Sequence, residues 1–253
     1  MTSETHPGLA ASTSAPAGRA TARGLVGRLL LGGALLWCLM VGLGLLVTGP
    51  LRQVWPVDVE DVVNRDLAAD RDATWNGISH WATLVGNTGT IIATTAVVAL
   101  VLRLVLHRWR ESAFLVLAVA LQALVFFCTQ LVISRQRPDV PKLDPAPPTS
   151  SFPSGHTGAA TALYLGIAVI CAWHAGGTWK RVLVVVAFAL VPLAVAASRL
   201  YRGMHHPTDV TGAFVNGIVS VWVAARGFLL AALPPGLRRR LDGSTASTVD
   251  VTR

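Results

Sequence analysis

The sequence predicts an all-α fold, a polytopic membrane helix bundle with six transmembrane helices. Three observations point there. The 253-residue chain is 53% hydrophobic and only 13% charged, where a soluble domain carries about 25% charged residues. Its mean hydropathy is +0.56. Its apolar residues gather in runs of about 20, the length that crosses a bilayer as a helix.

Met1 to about Arg23 is rich in Ala, Ser, Thr, Pro and Gly and reads as a disordered cytoplasmic tail. The first apolar run, Leu25–Thr48, is too long for the core of a signal peptide, and no small-residue cleavage site follows it before Pro50. It is expected to be a retained helix. A longer connection, Leu51–Asn87, comes next. Within it, Val57–Ala69 mixes both charges and suits a short interfacial helix. The other spans are Thr88–Leu106, Ser112–Ile133, Gly155–Ala175, Val182–Leu200 and Val210–Leu233. Pro192 is expected to kink the fifth span. A basic tail, 234–253, is assigned to the cytoplasm. No internal repeat marks a second domain, so 24–233 reads as one unit.

The net charge of +8 does not imply nucleic acid. The basic residues cluster at the ends of the apolar runs, where they orient helices and meet lipid headgroups. One side holds Arg19, Arg23, Arg28, Arg108, Arg110, Lys180, Arg181 and Arg238–Arg240. On the other, Asp58, Glu60, Asp61, Asp66, Asp70 and Asp72 outnumber Arg52, Arg65 and Arg71. The positive-inside rule then puts both termini in the cytoplasm. Trp55, Trp75 and Trp81 would form an outer aromatic belt, and Trp109, Trp173 and Trp179 an inner one. Cys38, Cys128 and Cys171 are few, odd in number and set in apolar runs, so neither a disulfide framework nor a metal cluster is expected.

Three polar stretches break the apolar pattern, each at the outer end of a span: Ser134–Pro138, Pro153–His156, and Ser198-Arg199-(five residues)-His205-(three residues)-Asp209. A spacing of four puts His205 and Asp209 on one helical face. A carboxylate there can accept the imidazole N–H, fix the tautomer and leave the other ring nitrogen free as a nucleophile. His206, three residues from Asp209, also satisfies the spacing. Ser154 suits a helix N-cap, and Gly155 lets the backbone approach a ligand. A helix N-terminus favours an anion, and His156 in that first turn suits a general acid. Arg137 and Arg199 supply planar forks for phosphate. A phosphoryl transition state spreads charge over its equatorial oxygens, so several fixed donors are what catalysis needs.

These residues resemble the type 2 phosphatidic acid phosphatase (PAP2) family, membrane lipid-phosphate phosphatases related in site to vanadium haloperoxidases. Its pattern is Lys-(six)-Arg-Pro, then Pro-Ser-Gly-His, then Ser-Arg-(five)-His-(three)-Asp. The second part is complete at Pro153–His156 and the third at Ser198–Asp209. The first matches Arg137 and Pro138, with Gln130 in the lysine position. The resemblance implies a PAP2/haloperoxidase-like core in which His205 forms a phosphohistidine. Asp209 would orient it, and His156 would protonate the leaving group. Arg137, Arg199, Ser154 and Gly155, with Gln130 in the lysine's place, would bind phosphate. His206 falls outside the pattern. No metal and no cofactor are implied.

Gln130 can donate a hydrogen bond but adds no charge, a loss of about one to a few kcal/mol in phosphate binding if nothing replaces it. Arg135, Lys142 and Arg202 are the candidates to compensate. The expected partners are membrane lipids and a substrate among phosphatidic acid, phosphatidylglycerophosphate, diacylglycerol pyrophosphate and polyprenyl pyrophosphate. Hydrolysis would take place at the extracytoplasmic face of the cell membrane. Two alternatives stand beside it: a catalytically weakened member that only binds lipid phosphate, and a transporter-like protein. The second would carry charges at the bilayer midplane; here they sit at span ends. The sequence carries no signal for oligomeric state.

Overall fold

The computed structural model describes residues 17–228, and among them every regular element is helical. Helix α1 spans Ala17–Thr48. A 3₁₀ turn, Val57–Val59, leads into α2, Glu60–Ala69, and α3, Ala73–Val85. Then follow α4 Thr88–Leu106, α5 Arg110–Val132, α6 Gly155–His174, α7 Thr178–Tyr201 and α8 Pro207–Phe228. Six helices are long and apolar enough to cross a membrane: α1 from Gly24, and α4 to α8. The chain is a multi-pass membrane protein. The first 16 residues, the tail 234–253 and the end of the last expected span lie outside the described residues.

The span boundaries shift by a few residues at α5, α7 and α8, and two features differ more from expectation. Helix α1 begins at Ala17, inside the stretch read as tail, because Ala and Arg there favour helix. Helix α3 was not expected. Its signal is Asp72, whose Oδ1 caps the helix by accepting from the Trp75 amide at 2.8 Å.

Helices α6 and α8 are the inner pair, and α1, α4 and α7 turn most of their surface outward. Leu30, Leu104, Val105 and Leu131 are largely exposed. Apolar area of that kind on every outer helix is a lipid-facing surface.

With no hydrophobic force between helices in lipid, close approach through small residues does the packing. A Cβ on Gly217 of α8 would stand 2.5 Å from Thr161 Cβ and 2.9 Å from the Gly158 carbonyl of α6. A Cβ on Gly158 would stand 2.5 Å from Gln122 Nε2 of α5. Asn216 Nδ2 donates to the Gln122 carbonyl at 3.2 Å, tying α8 to α5. Three helices therefore cross at one point, where two of them lack side chains.

The irregular segment 133–154 joins α5 to α6 and carries six prolines. It is pinned to the α7–α8 turn by backbone bonds from the amides of Leu143 to Arg202 O (3.1 Å) and Ser154 to Asp209 O (3.1 Å). In that turn Gly203 has φ +71°, and a Cβ there would meet Val140, Arg71 and Pro141 at 2.7–3.1 Å. Only glycine fits. The three polar stretches thus meet at one end of the bundle.

Candidate active site

The α8 N-terminus organises the site. Pro207 fills the first helical position, where its missing N–H costs nothing. Asp209 reaches back, its Oδ2 accepting from the His206 amide at 2.8 Å, in the manner of a capping box. Asp209 is fully buried. It also accepts from Ser151 Oγ and from Arg135 Nη1. Arg135 extends the network to Thr208 Oγ1 at 2.7 Å and to Glu60. Glu60, buried on α2, closes it by accepting from the Thr208 amide. Two carboxylates thus share one guanidinium at the positive end of a helix dipole.

His205 is 3% exposed. Its Nδ1 donates to the carbonyl of Ser151 at 2.9 Å, while Asp209 Oδ2 stands 3.6 Å away. The spacing argument gave this proton to Asp209; the geometry gives it to the Ser151 backbone. The Nε2 lone pair is left free. Burial pushes the imidazole pKa below its ordinary value, against the pull of Asp209, so the ring is neutral at pH 7. His206 Nδ1 lies 3.3 Å from Asp209 Oδ2, and its Nε2 lies 3.4 Å from Asp61 Oδ1.

Between α4, α5 and α6 lies a cavity of about 370 Å³. Its polar end is lined by Gln130, Arg137, Gly155, His156, Arg199 and His205. His206, Asp209 and Ser154 are not among its lining residues. Its other walls include Ile91, Ile92, Val119, Ala123 and Phe126. Ile92, Ala123 and Thr88 are exposed lining residues, so the cavity reaches the lipid-facing surface between α4 and α5.

Arg137 Nη1 donates to the Met204 carbonyl at 2.8 Å. Burial lowers its pKa, partly offset by Asp209. Arg199 Nη1 donates to Thr83 Oγ1 and to Asp144 Oδ2, both at 2.6 Å. The Nε of each arginine is buried and has no hydrogen-bond partner among the described residues. Two orphaned guanidinium N–H groups at one cavity fit an anion. Asp144 also receives Arg202, with Nη2 at 2.6 Å from Oδ1 and Nε at 2.9 Å from Oδ2. Burial would raise the Asp144 pKa, but the Arg202 hydrogen bond and the charges of Arg199 and Arg202 outweigh it and hold the carboxyl below its usual range.

His156 sits in the first turn of α6, and its ring makes no hydrogen bond to another described residue. A Cβ on Gly155 would lie 2.9 Å from Phe126 Cζ, so packing as well as ligand approach calls for glycine. Ser154 takes the N-cap position of α6 as expected, without the side-chain cap. Its hydroxyl bonds Thr157 Oγ1 at 3.1 Å and makes no cap to the α6 backbone. Gln130 Nε2 donates to Ser150 O at 2.9 Å. Neither Arg135, Lys142 nor Arg202 lines the cavity.

The sequence reading missed Glu60 as a partner of Arg135, and missed Ser151, Asp144 and Thr83 altogether. Only Ser151 adjoins a recognised motif. Among the described residues no group of three or more His, Cys, Asp or Glu is placed to hold a metal ion.

Fold and site together define a multi-pass membrane protein with a cavity lined by two arginines and two histidines at one end of its bundle. Residues 111–231 match the family model described as the PAP2 superfamily. The structure is similar to the first transmembrane PAP2 type phosphatidylglycerolphosphate phosphatase from Bacillus subtilis. The TM-score is 0.69 and the identity 21%, covering 79% of this chain and 97% of that one. Aquifex aeolicus LpxE matches with a TM-score of 0.52 and 20% identity, over 64% of this chain and 92% of that one. At these identities the likeness is one of fold. No curated protein sequence matches the chain.

Proposed function

We propose that the chain is an integral membrane phosphatase hydrolysing a lipid phosphate through a phosphohistidine on His205. The observation that carries this reading is one cavity lined by His205, whose Nδ1 is committed to a backbone carbonyl, and by two arginines that each keep an unpartnered Nε. That cavity continues along an apolar wall to the lipid-facing surface, which suits a substrate with an acyl or prenyl tail.

In the first displacement His205 Nε2 attacks phosphorus in line. The bond from phosphorus to the lipid oxygen breaks, and His156 gives that oxygen a proton. In the second, His156 takes a proton from water, the water oxygen attacks phosphorus, and the P–N bond breaks. Inorganic phosphate leaves and His205 returns to its starting state. Arg137, Arg199 and the backbone at Gly155 hold the equatorial oxygens through both steps, with Gln130 offering a neutral donor. Asp209 stabilises the positive charge that develops on His205. Ser154 acts by fixing the start of α6 against Thr157. The reaction needs no metal.

The phosphatase unit spans 24–233, both termini are cytoplasmic, and the site faces outward. The placement of arginine and lysine supports this topology. Candidate substrates are phosphatidic acid, phosphatidylglycerophosphate, diacylglycerol pyrophosphate and polyprenyl pyrophosphate. Gln130 favours a second reading, a member that binds lipid phosphate with little turnover.

The test is phosphate release by purified protein over a panel of these lipids, with and without EDTA. His205→Ala is expected to abolish release. Release that persists in the variant removes the mechanism, and binding without release from any lipid supports the second reading.

A further inference from the structure

We propose that the cavity holds one phosphoryl group and not two, so that its substrate is a lipid phosphomonoester rather than a lipid diphosphate. This deepens the phosphatase reading and rests on it. A phosphomonoester brings a charge of about −1.5 to −2 at pH 7, and a diphosphate adds a further phosphate charge that needs its own partner. Among the described residues, Arg137 and Arg199 are the only arginine or lysine side chains lining the cavity. Asp144 divides its charge between Arg199 Nη1, at 2.6 Å, and Arg202, so the two cavity guanidiniums offer a charge of at most two, enough for one phosphoryl group.

The neighbouring arginines do not line the cavity. Arg71 donates to the carbonyls of Tyr201 (3.0 Å) and Pro141 (2.6 Å), with one buried Nη2 left unpartnered beside Gly203. Arg135 holds Glu60 and Asp209. Arg202 holds Asp144, the Leu143 carbonyl at 3.0 Å and Ser79 Oγ at 3.1 Å. Gln130, at the polar end, is neutral and already donates to Ser150 O.

The lining residues from the 133–154 segment beyond Arg137 are Pro145, Pro147 and Thr149. Prolines have no N–H to offer. A second phosphate would therefore leave water for surroundings without a matching cation, and an unpaired charge there is costly. One cation lies close by: Lys142 is exposed and two residues from Asp144.

The experiment uses full-length protein in detergent micelles. Initial rates are compared for phosphatidic acid and diacylglycerol pyrophosphate of the same chains. Binding of inorganic phosphate and of pyrophosphate is measured in parallel by calorimetry. The monoester is expected to be favoured at least about tenfold in kcat/KM, mostly through KM, and pyrophosphate to bind no tighter than phosphate. Gln130→Lys is expected to narrow the gap by raising the diphosphate rate. Lys142→Ala is expected to change neither rate.

Equal or better His205-dependent turnover of the diphosphate overturns the proposal. So does tighter binding of pyrophosphate, or a diphosphate rate that collapses in Lys142→Ala. If neither lipid is hydrolysed while phosphate binds at least as tightly as pyrophosphate, the phosphatase reading falls and the one-phosphate cavity stands.

Discussion

The backbone carbonyl of Ser151 takes the Nδ1 proton of His205 at 2.9 Å, and the carboxylate of Asp209 stands 3.6 Å from the same nitrogen. A carbonyl oxygen only accepts, so the backbone sets the tautomer and the carboxylate acts through its charge. Asp209→Asn is therefore expected to lower kcat on the order of 10²-fold, against the ~10⁴-fold loss seen where a carboxylate alone fixes the imidazole. KM should change little. Steady-state kinetics decide it: a variant as dead as His205→Ala would return the tautomer to Asp209.

Glu60 lies far from the cavity in sequence and does not line it, yet it is itself buried and is the second partner of the largely covered Arg135. Removing one member of such a network leaves charge uncompensated, at a cost of about 3–5 kcal/mol. Glu60→Ala is expected to unfold at a markedly lower temperature. Glu60→Gln should lose less, because it still accepts from the Thr208 amide. Melting of the two variants in detergent checks this; an unshifted Glu60→Ala would mean that the network adds nothing to stability.

Asp144 gives stability a pH dependence of known sign. Its folded pKa lies below the usual carboxylate value of about 3.9, so its contribution is complete at neutral pH. That contribution fades as pH falls below about 4, where the unfolded chain takes up the proton first. The melting temperature of Asp144→Asn should lie below that of the parent at pH 7, and the two should converge toward pH 3. Parallel curves over that range would contradict the assignment.

Gly203→Ala tests the turn that carries His205. A left-handed conformation costs a non-glycine residue roughly 1–2 kcal/mol, and here the new methyl would also press on Val140 at 2.7 Å. Lower stability and lower kcat together are expected. A variant matching the parent in both would show that the turn tolerates a side chain.

The spans were legible because the bilayer imposes a length on them, and α4 begins where Asn87 and Thr88 mark it. Helix α3 was not, since Gly77 and His80 interrupt its apolar pattern and only Asp72 announces it. In the site, local spacing was informative as far as one helical turn: His205 and Asp209 lie on one face of α8. The spacing left His206 open as a rival, and only the cavity wall separates the two. The proton on His205 depends on Ser151, 54 residues away, and the cap on Thr208 comes from Glu60 across 148 residues. Contacts of that range leave no periodic trace in a single sequence. Gln130 was legible as an oddity, but not that its amide would anchor Ser150.

The crossing of Gly158, Thr161 and Gly217 lies about 15 Å along α8 from its first residue. It sets the distance between the two helix ends that bring His156 and His205 to one cavity. On α6 the crossing lies only three to six residues from the first residue, just below His156. A methyl group added at Gly217 would wedge α6 from α8 and be felt as a misaligned attack at the helix ends. Function in this protein can thus be lost in the packing below the site with every chemical group still in place. A variant there would look like an active-site lesion in an assay and like an ordinary packing defect in a sequence.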